Sequence, residues 1–503
     1  MDAPFETWNG ACAPLSEIPV LNPDRFQRFL ADGLAAGGRV VSLFGRPAKA
    51  ERVLVTAVVA DDSANRIGLL STAVSRRWPS LAARFPSLQG FERELAEQFG
   101  LIPEGHPWLK PLRFEHRRAG GTDSGRGSHP PIPGDYPFFQ VAGEEIHEVA
   151  VGPVHAGIIE PGHFRFQCHG EEVLHLEIVL GYQHRGVERL LEGGPDPRTL
   201  AVAETIAGDT SIGHGLACCC ALEAMAGMEA PPRASFLRAI ALELERLANH
   251  TGDLGALAGD VGFLPTMSAC GALRAEFLNA TAEICGNRFG RGLLVPGGVR
   301  FDLLPDEAAR LAEKVSGAFA LVRESASLFL HAPSCRNRTD GTGALSLELC
   351  DQLGLVGPAA RACGATRDVR RDHPFGLYRF AHIPVANAET GDVFARAWVR
   401  YLEAERSAQF VVNHLRMLPS GPVRSPLPPL PAHRLAVSMV EGWRGEIAHV
   451  VVTDGDGRLE RYKVLDPSFH NWMGLALALR GEQISDFPLC NKSFNLSYAG
   501  HDL

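Results

Sequence analysis

Four short motifs between residues 152 and 215 decide how this chain folds. They read Gly152-Pro153-Val154-His155, then Glu160-Pro161-Gly162-His163-Phe164-Arg165, then Gly181-Tyr182-Gln183-His184-Arg185-Gly186-Val187-Glu188, and last Ala207-Gly208-Asp209-Thr210-Ser211-Ile212-Gly213-His214. Between the second and third motifs, apolar residues alternate along Val173, Leu174, Leu176, Ile178 and Leu180. This alternation predicts a β-strand that leads into the His-Arg-Gly segment.

The length indicates a folded protein of more than one domain, since 503 residues are more than usually fold around one hydrophobic core. An apolar content of 45% and a charged content of 21% are globular values. The net charge of −9, without any Lys/Arg run, argues against nucleic-acid binding. The sequence has no charge-free apolar window of about 18 residues that would predict a membrane span. The start has no signal-peptide pattern. Eleven irregularly spaced cysteines predict reduced thiols in a cytoplasmic protein.

The chain before these motifs has the pattern of a small α/β domain. Apolar runs at 40–44 and 53–59 predict strands, and 91–99 predicts a helix that Gly100 ends. Residues 1–115 are therefore assigned to one domain. Residues 116–137 are rich in Gly, Pro and Ser and predict a linker. Residues 138–503 are predicted to be mostly helical, with an apolar face repeating every three to four residues through 236–248.

The motifs resemble the opening of nickel-iron hydrogenase large subunits and of the 49 kDa subunit of respiratory complex I. The resemblance continues, in order, through Glu243–His250, Val295–Arg300, Gly354–Pro358 and Tyr462–Phe469. The 91–101 helix followed by Gly105-His106-Pro107 resembles the 30 kDa subunit of complex I, which energy-converting hydrogenases carry as an N-terminal fusion. The resemblance is strongest to the formate hydrogenlyase type and to energy-converting-hydrogenase-related complexes. It implies an α+β fold: a small α/β domain, then a mostly helical domain with small peripheral sheets.

The resemblance also shows what is missing. Nickel and iron are held in this family by two Cys-x-x-Cys pairs, because soft thiolates bind these metals where carboxylates would not. The matching positions are Ala207 and Thr210, and Ser497 and Gly500. None is cysteine, and Cys218, Cys219 and Cys220 point in three directions on a predicted helix, which favours core packing. We therefore expect no nickel-iron centre.

The quinone-binding histidine and tyrosine of complex I are missing as well. Pro161 and Gly208 stand at their positions, and His163 and Tyr498 lie near enough in the motifs to substitute. A phenol and an imidazole matter because each can give a proton to the reduced quinone oxygen.

What remains is a set of polar residues on motifs that line the family's site. The candidates for a catalytic role are His163, Arg185, Glu188, Asp209 and His214, and a quinone-like ligand pocket is expected at Arg165, His184 and Tyr498. Asp466, Ser497 and His501 fall on the same lining segments. Glu188 stands where the family has a glutamate associated with proton passage. Zinc on His163, His184 and His214 is an alternative from residue type, although the spacing matches no compact metal motif.

The resemblance implies a partner subunit carrying a [4Fe-4S] cluster and membrane subunits similar to antiporters. The chain itself would bind no cofactor directly, with quinone as a possible ligand, and would lie on the cytoplasmic, inner face of the cell membrane. Three functions stay open. The first is a redox-complex subunit that couples electron transfer to ion movement. The second is a structural coupler without chemistry of its own. The third is a quinone-reducing or hydrogenase-type catalytic subunit with substituted ligands.

Overall fold

The computed structural model describes residues 3–49, 51–118, 132–155 and 159–503. The elements of the N-terminal part are β1 Phe5–Thr7, β2 Ala11–Pro14, β3 Val20–Leu21, α1 Pro23–Ala35, β4 Arg39–Ala48, β5 Arg52–Asp61, β6 Arg66–Val74, β7 Arg77–Pro79, α2 Gln89–Phe99 and β8 Ile102–Glu104. Strands β1, β6, β5 and β4 form an antiparallel sheet in that order, and β3 adds to β6 in parallel. The sequence predicted β4, β5 and α2, and Gly100 ends α2 in the left-handed region at φ 70°.

The remainder of the described chain is mostly helical. Its first elements are β9 Ile146–Val151, β10 His163–His169, β11 Glu172–Val179, α3 Val187–Leu191, α4 Thr199–Ala203, α5 Ser211–Ala226, α6 Pro232–Asp260, α7 Leu264–Cys285, β12 Leu294–Val295 and β13 Gly298–Val299. Then come α8 Pro305–His331, α9 Pro333–Thr339, α10 Leu347–Leu353, α11 Gly357–Ala362, α12 Val369–Asp372, α13 Val393–Arg416, β14 Arg434–Gly442, β15 Gly445–Thr453, β16 Leu459–Leu465, α14 Pro467–Ala478, α15 Phe487–Phe494 and α16 Tyr498–Asp502.

The long helices α6, α7, α8 and α13 pack together as the centre of this helical part. Helix α6 contains the predicted apolar repeat, and its residues 237–251 are buried throughout. Small sheets accompany the helices: β11-β10-β9, and β16-β15-β14-β2, in which β14 and β15 are almost wholly buried. The α+β architecture is thus confirmed. No helix in the described part of the chain is long and apolar enough to cross a membrane.

One strand crosses the predicted domain division. Strand β2 of the N-terminal part pairs with β14, with Pro14 opposite Arg434 and Ala11 opposite Val437. The N-terminal part therefore supplies an edge strand to a sheet whose other three strands belong to the helical part. The boundaries at 115 and 138 stay a prediction, and residues 119–131 of the predicted linker lie outside the described residues.

The crossing of α6 and α7 gives a test of this packing. A Cβ at Gly255 would lie 2.8 Å from the Cys270 Cβ, whereas a Cβ at Gly271, also on α7, would meet nothing within 4 Å. We expect Gly255→Ala to lower the free energy of unfolding by about 1–3 kcal/mol through overpacking. The control Gly271→Ala is expected to raise it by about 1 kcal/mol, since alanine favours helix. Urea unfolding of both variants measures the difference, and equal midpoints would contradict the packing.

Candidate functional site

The last residues of the sequence bind the third motif. The Asp502 carboxylate accepts hydrogen bonds from the backbone amides of Gly181 (2.8 Å) and Gln183 (2.9 Å). The His184 Nδ1 lies 2.8 Å from the Asp502 carbonyl oxygen. Gly181 has φ 98°, a conformation that places its amide toward the carboxylate and that other residues rarely adopt. Two segments about 320 residues apart in sequence therefore form one surface.

Arg185 connects the same two segments through its guanidinium group. It donates to the carbonyl oxygens of Thr205 (2.6 Å) and Ile206 (2.9 Å), directly before the first cysteine-equivalent position, and to that of Ala499 (3.2 Å). The Arg185 Nη atoms thus donate to backbone carbonyls, which indicates that Arg185 positions the backbone.

None of the four positions that correspond to the metal-binding cysteines of hydrogenases carries a thiol. Ala207 and Thr210 lie just before α5, and Ser497 caps α16, its hydroxyl accepting from the Gly500 amide (2.9 Å). The Asp466 carboxyl group fills the space beside Gly500, and a Cβ on Gly500 would lie 2.6 Å from its carbon. One position has no side chain and one has only a methyl group, while the two hydroxyl groups are hydrogen-bonded within the protein. These residues do not fit a nickel-iron centre.

An arginine joins the segments where the metal would be expected. Arg444 forms a two-bond ion pair with Asp209 (Nη1–Oδ1 2.6 Å, Nη2–Oδ2 2.8 Å), and its Nε donates to the Asn495 carbonyl (2.5 Å). Its guanidinium lies 3.9 Å from the Trp443 ring centre, and Trp443 Nε1 donates to the Thr210 hydroxyl (3.0 Å). Burial opposes the ionisation of Asp209, but Arg444 outweighs it and leaves the Asp209 pKa below its ordinary value.

Behind this pair runs a buried chain of hydrogen-bonding side chains. Asp466 Oδ2 lies 3.0 Å from His214 Nε2, His214 Nδ1 lies 3.2 Å from His449 Nε2, and His449 Nδ1 lies 2.8 Å from the Tyr462 hydroxyl. All four side chains are buried. Burial opposes the charge on Asp466, yet the bond with His214 lowers its pKa. Burial and His214 both lower the His449 pKa, so His449 is neutral. His214 and Asp466, both predicted, meet here; His449 and Tyr462 were missed.

Glu188 lies in a network that the two parts of the chain build together. Its carboxylate pairs with Arg461 (2.8 Å), Lys463 (3.0 Å) and Arg118 (3.2 Å), and Lys463 also contacts Glu94 (2.5 Å) on α2. Burial alone would raise the Glu188 pKa, but these cations lower it well below its ordinary value. The adjoining cavity measures about 10 Å³, room for one water molecule. It is lined by Gln98, Arg113, Glu115, Arg118, His184, Gly186, Glu188 and Leu503.

His163 and Arg165 lie together on β10. His163 Nε2 is 3.2 Å from Arg165 Nε, and His163 Nδ1 is 3.2 Å from the Gly152 carbonyl. Arg165 also pairs with Glu148 and lies over the Phe138 ring at 4.3 Å. Burial lowers the His163 pKa, which favours the neutral imidazole. Two positions apart on one strand, the two residues share one face of the small sheet.

Tyr498 packs on the second motif. A Cβ on Gly162 would lie 2.5 Å from its ring, and Trp472 lies at a ring-centre distance of 4.8 Å. The Glu160 carboxylate accepts from the Tyr498 amide (2.8 Å) and the Ala499 amide (3.2 Å). Burial raises the Tyr498 pKa to about 12, so its hydroxyl remains a proton donor at neutral pH.

The zinc alternative finds no support. Within residues 3–49, 51–118, 132–155 and 159–503, no group of three or more His, Cys, Asp or Glu side chains is arranged to hold a metal ion. Cys218 and Cys219 are buried on α5, as core packing predicts.

The fold and the order of the motifs define a subunit of the hydrogenase and complex I type, and comparisons with known proteins give its family. The family model of the respiratory-chain NADH dehydrogenase 49 kDa subunit matches residues 260–432 and 429–502, and that of the 30 kDa subunit matches residues 35–121. The chain belongs to the family of the complex I 49 kDa subunit and the related membrane-bound hydrogenase large subunits, with a 30 kDa-type region fused before it.

Individual relatives agree with this assignment. The carbon monoxide-induced hydrogenase of Rhodospirillum rubrum is 35% identical over 69% of this chain and 97% of its own length. Formate hydrogenlyase subunit 5 of Escherichia coli (strain K12) is 31% identical over 84% of this chain and 77% of its own length. In the solved structure of membrane-bound sulfane sulfur reductase, an archaeal respiratory membrane complex, one chain superposes with a TM-score of 0.67 at 25% identity. That match covers 72% of this chain and 99% of the other.

The contact between Gly500 and Asp466 can be tested with a matched pair of variants. Gly500→Ala places a methyl group against the Asp466 carboxyl group, so we expect a loss of about 1–3 kcal/mol in the free energy of unfolding. At Gly208, on the fourth motif, a Cβ would meet nothing within 4 Å. Gly208→Ala should therefore stay within about 0.5 kcal/mol of the wild type. Thermal and urea unfolding check this, and equal losses would contradict the geometry.

The ion pairs of Glu188 predict a pH-dependent stability. Glu188→Gln leaves three buried cations without their carboxylate and should cost about 3–5 kcal/mol at pH 7. Because the folded-state pKa is depressed, this stabilisation is fully present above the unfolded pKa of about 4.3 and is lost progressively as pH falls from there through the folded-state pKa. Acidification should therefore narrow the gap between variant and wild type.

The control is Glu192→Gln, whose carboxylate pairs with Arg118 and Arg461 but is 26% exposed. It should cost about 0–1 kcal/mol. Unfolding curves at pH 7 and pH 4 measure both variants. A Glu188→Gln protein as stable as the wild type would show that the ion pairs contribute little and would favour a proton-carrying role.

Proposed function

We propose that this chain is the large subunit of a membrane-associated respiratory complex, in which it takes part in electron transfer from a partner iron-sulfur subunit without a nickel-iron site of its own. Its relatives include the carbon monoxide-induced hydrogenase, formate hydrogenlyase subunit 5 and one of the subunits of the F420H2 dehydrogenase of Methanosarcina mazei. The matches to the 30 kDa and 49 kDa family models, over residues 35–121 and 260–502, support the same position for this chain within a complex.

The observation that carries the proposal is the state of the four former cysteine positions. The frame around them is intact, since Arg185 of the third motif donates to both Ile206 and Ala499, and Asp502 binds the amide of Gly181. The donors are changed, because the space beside Gly500 is filled by Asp466 and the Thr210 hydroxyl is bonded to Trp443. An intact frame with altered donors supports a subunit that kept its assembly role and lost the hydrogen chemistry.

The proposed partners are a small subunit bearing a [4Fe-4S] cluster and antiporter-like membrane subunits, with this chain peripheral to the inner face of the cell membrane. Protonation at the site would be coupled to ion movement in the membrane subunits. His163, neutral, and Tyr498, protonated, are the groups able to hydrogen-bond an acceptor such as a quinone.

A structural coupler remains the second candidate, and Glu188 favours it. A carboxylate held by three cations beside a water-sized cavity is poorly suited to release and rebind protons. The Arg185 donors are likewise occupied by backbone carbonyls. A coupler of this kind transmits movement between subunits and binds no acceptor.

Purification of the complex through a tag on this chain tests the proposal. We expect a cluster-bearing subunit to co-purify, with reducible iron-sulfur signals in electron paramagnetic resonance and nickel far below one atom per chain. The matched control is the same purification of a tagged relative that retains all four cysteines.

Nickel at one atom per chain would overturn the proposal, as would a preparation without any iron-sulfur partner. Electron transfer from the reduced cluster to a soluble quinone separates the two candidates. Turnover that falls in His163→Gln or Tyr498→Phe supports the redox subunit, whereas unchanged turnover in both supports the coupler.

A further inference from the structure

We infer that segment 207–214, the fourth motif, and the C-terminal segment 497–503 are held together by side chains rather than by a metal. The set that closes them, called the motif latch here, consists of Arg444, Asp209, Asn495, Asp466 and His214. In a cysteine-bearing relative, metal-thiolate bonds would join the same two segments, since each segment supplies one Cys-x-x-Cys pair. The latch makes this closure a property of the folded chain alone.

Arg444 reaches both segments at once. Its two Nη atoms pair with Asp209 in segment 207–214, and its Nε donates to the Asn495 carbonyl just before segment 497–503. The bidentate geometry makes this the stronger kind of ion pair. Arg444 is largely buried, whereas the Asp209 side chain is 33% exposed, so the pair is only partly shielded from solvent.

The strand turn that carries Arg444 is itself fixed. A Cβ on Gly445 would lie 2.8 Å from backbone atoms of Gly357, so helix α11 packs closely against the turn. Trp443 Nε1 donates to the Asp209 carbonyl (3.2 Å) as well as to the Thr210 hydroxyl. The guanidinium is therefore presented from a rigid position, which lowers the entropy lost when it pairs.

Asn495 is fixed from the other side. Its side chain donates to Asp253 (2.6 Å), which also pairs with Arg400 (2.7 Å), and Arg400 donates to the Phe494 carbonyl (2.9 Å). Asn495 has φ 45°, a left-handed conformation that asparagine tolerates better than most residues. Helices α6 and α13 thus hold the turn at Asn495, and the Asn495 carbonyl accepts the hydrogen bond from Arg444.

Asp466 and His214 form the second link. Asp466 bonds His214 on α5, accepts from the Ser468 amide (2.8 Å) and lies against Gly500 on α16. The Ser468 hydroxyl in turn accepts from the Ser497 amide (2.8 Å). Buried hydrogen bonds therefore connect α5, the start of α14 and segment 497–503, close to the positions where thiolates would stand.

Hydrogen exchange on the full-length chain tests the motif latch. The chain is produced in nickel-depleted medium, treated with EDTA and compared with chain incubated with nickel and iron salts. We expect equal protection of segments 205–214 and 493–503 in these samples. In Arg444→Met, which keeps an apolar stem, both segments should exchange at least about tenfold faster.

The matched control is Arg238→Met. Arg238 forms a two-bond pair with Glu223 (2.6 and 3.0 Å) near the end of α5, and this pair is more deeply buried than that of Arg444 with Asp209. This variant should lose protection near its own contacts and leave 493–503 within about twofold of the wild type. If Arg444→Met fails to fold, Asp209→Asn serves instead, because it removes the charge at a partly exposed position.

Two results would overturn the inference. One is protection of 493–503 that stays within about twofold of the wild type in Arg444→Met or Asp209→Asn. The other is a loss of protection of about tenfold in the wild type after EDTA, which would show that a metal closes the motifs. Neither result depends on partner subunits, so failure of the latch is distinct from failure of the proposed function.

Discussion

The site depends on one constraint: the last residues of the sequence must satisfy hydrogen-bonding groups of the third motif. The Asp502 carboxylate accepts from the amides of both Gly181 and Gln183. Buried backbone donors left without partners are costly, so this contact fixes where α16 lies. The positions of Ser497 and Gly500, and hence their distance from Asp466, follow from it.

The sequence predicted which segments would meet but not which side chains would join them. The order of the motifs was enough to predict that segments 207–214 and 497–503 lie together. It also showed that the positions expected to hold cysteine are occupied by Ala207, Thr210, Ser497 and Gly500. Arg444 lies 235 residues from its partner Asp209, and Glu160 lies 338 residues from Tyr498. No local period links such residues, since periodicity reports only the face on which a side chain lies. Strand β2 was not predicted for a related reason. Its four residues show no clear alternation of apolar and polar side chains, and they pair with β14, which lies far away in the sequence.

Glu188 shows the difference between identifying a residue and knowing its state. Its motif placed it at the site, and nothing in the motif revealed the charges around it. Those charges come from Arg118 in the predicted linker and from Arg461 and Lys463 on β16. Distant parts of the chain thus set the pKa of one carboxylate. A titration property that depends on such distant contributions cannot be read from the residues next to it.

An arginine is a suitable replacement for a bound metal at a junction of two segments. It is a permanent cation, and its planar group can bond a carboxylate and a carbonyl at the same time, as Arg444 does with Asp209 and Asn495. The replacement differs from thiolate ligation in strength and in reversibility. Metal-thiolate bonds persist in water, whereas an ion pair whose carboxylate is one-third exposed is screened by salt. We therefore expect the Arg444 pair to join the two segments less persistently than thiolate ligation would, although the β14–β15 turn that presents Arg444 is packed against Gly357.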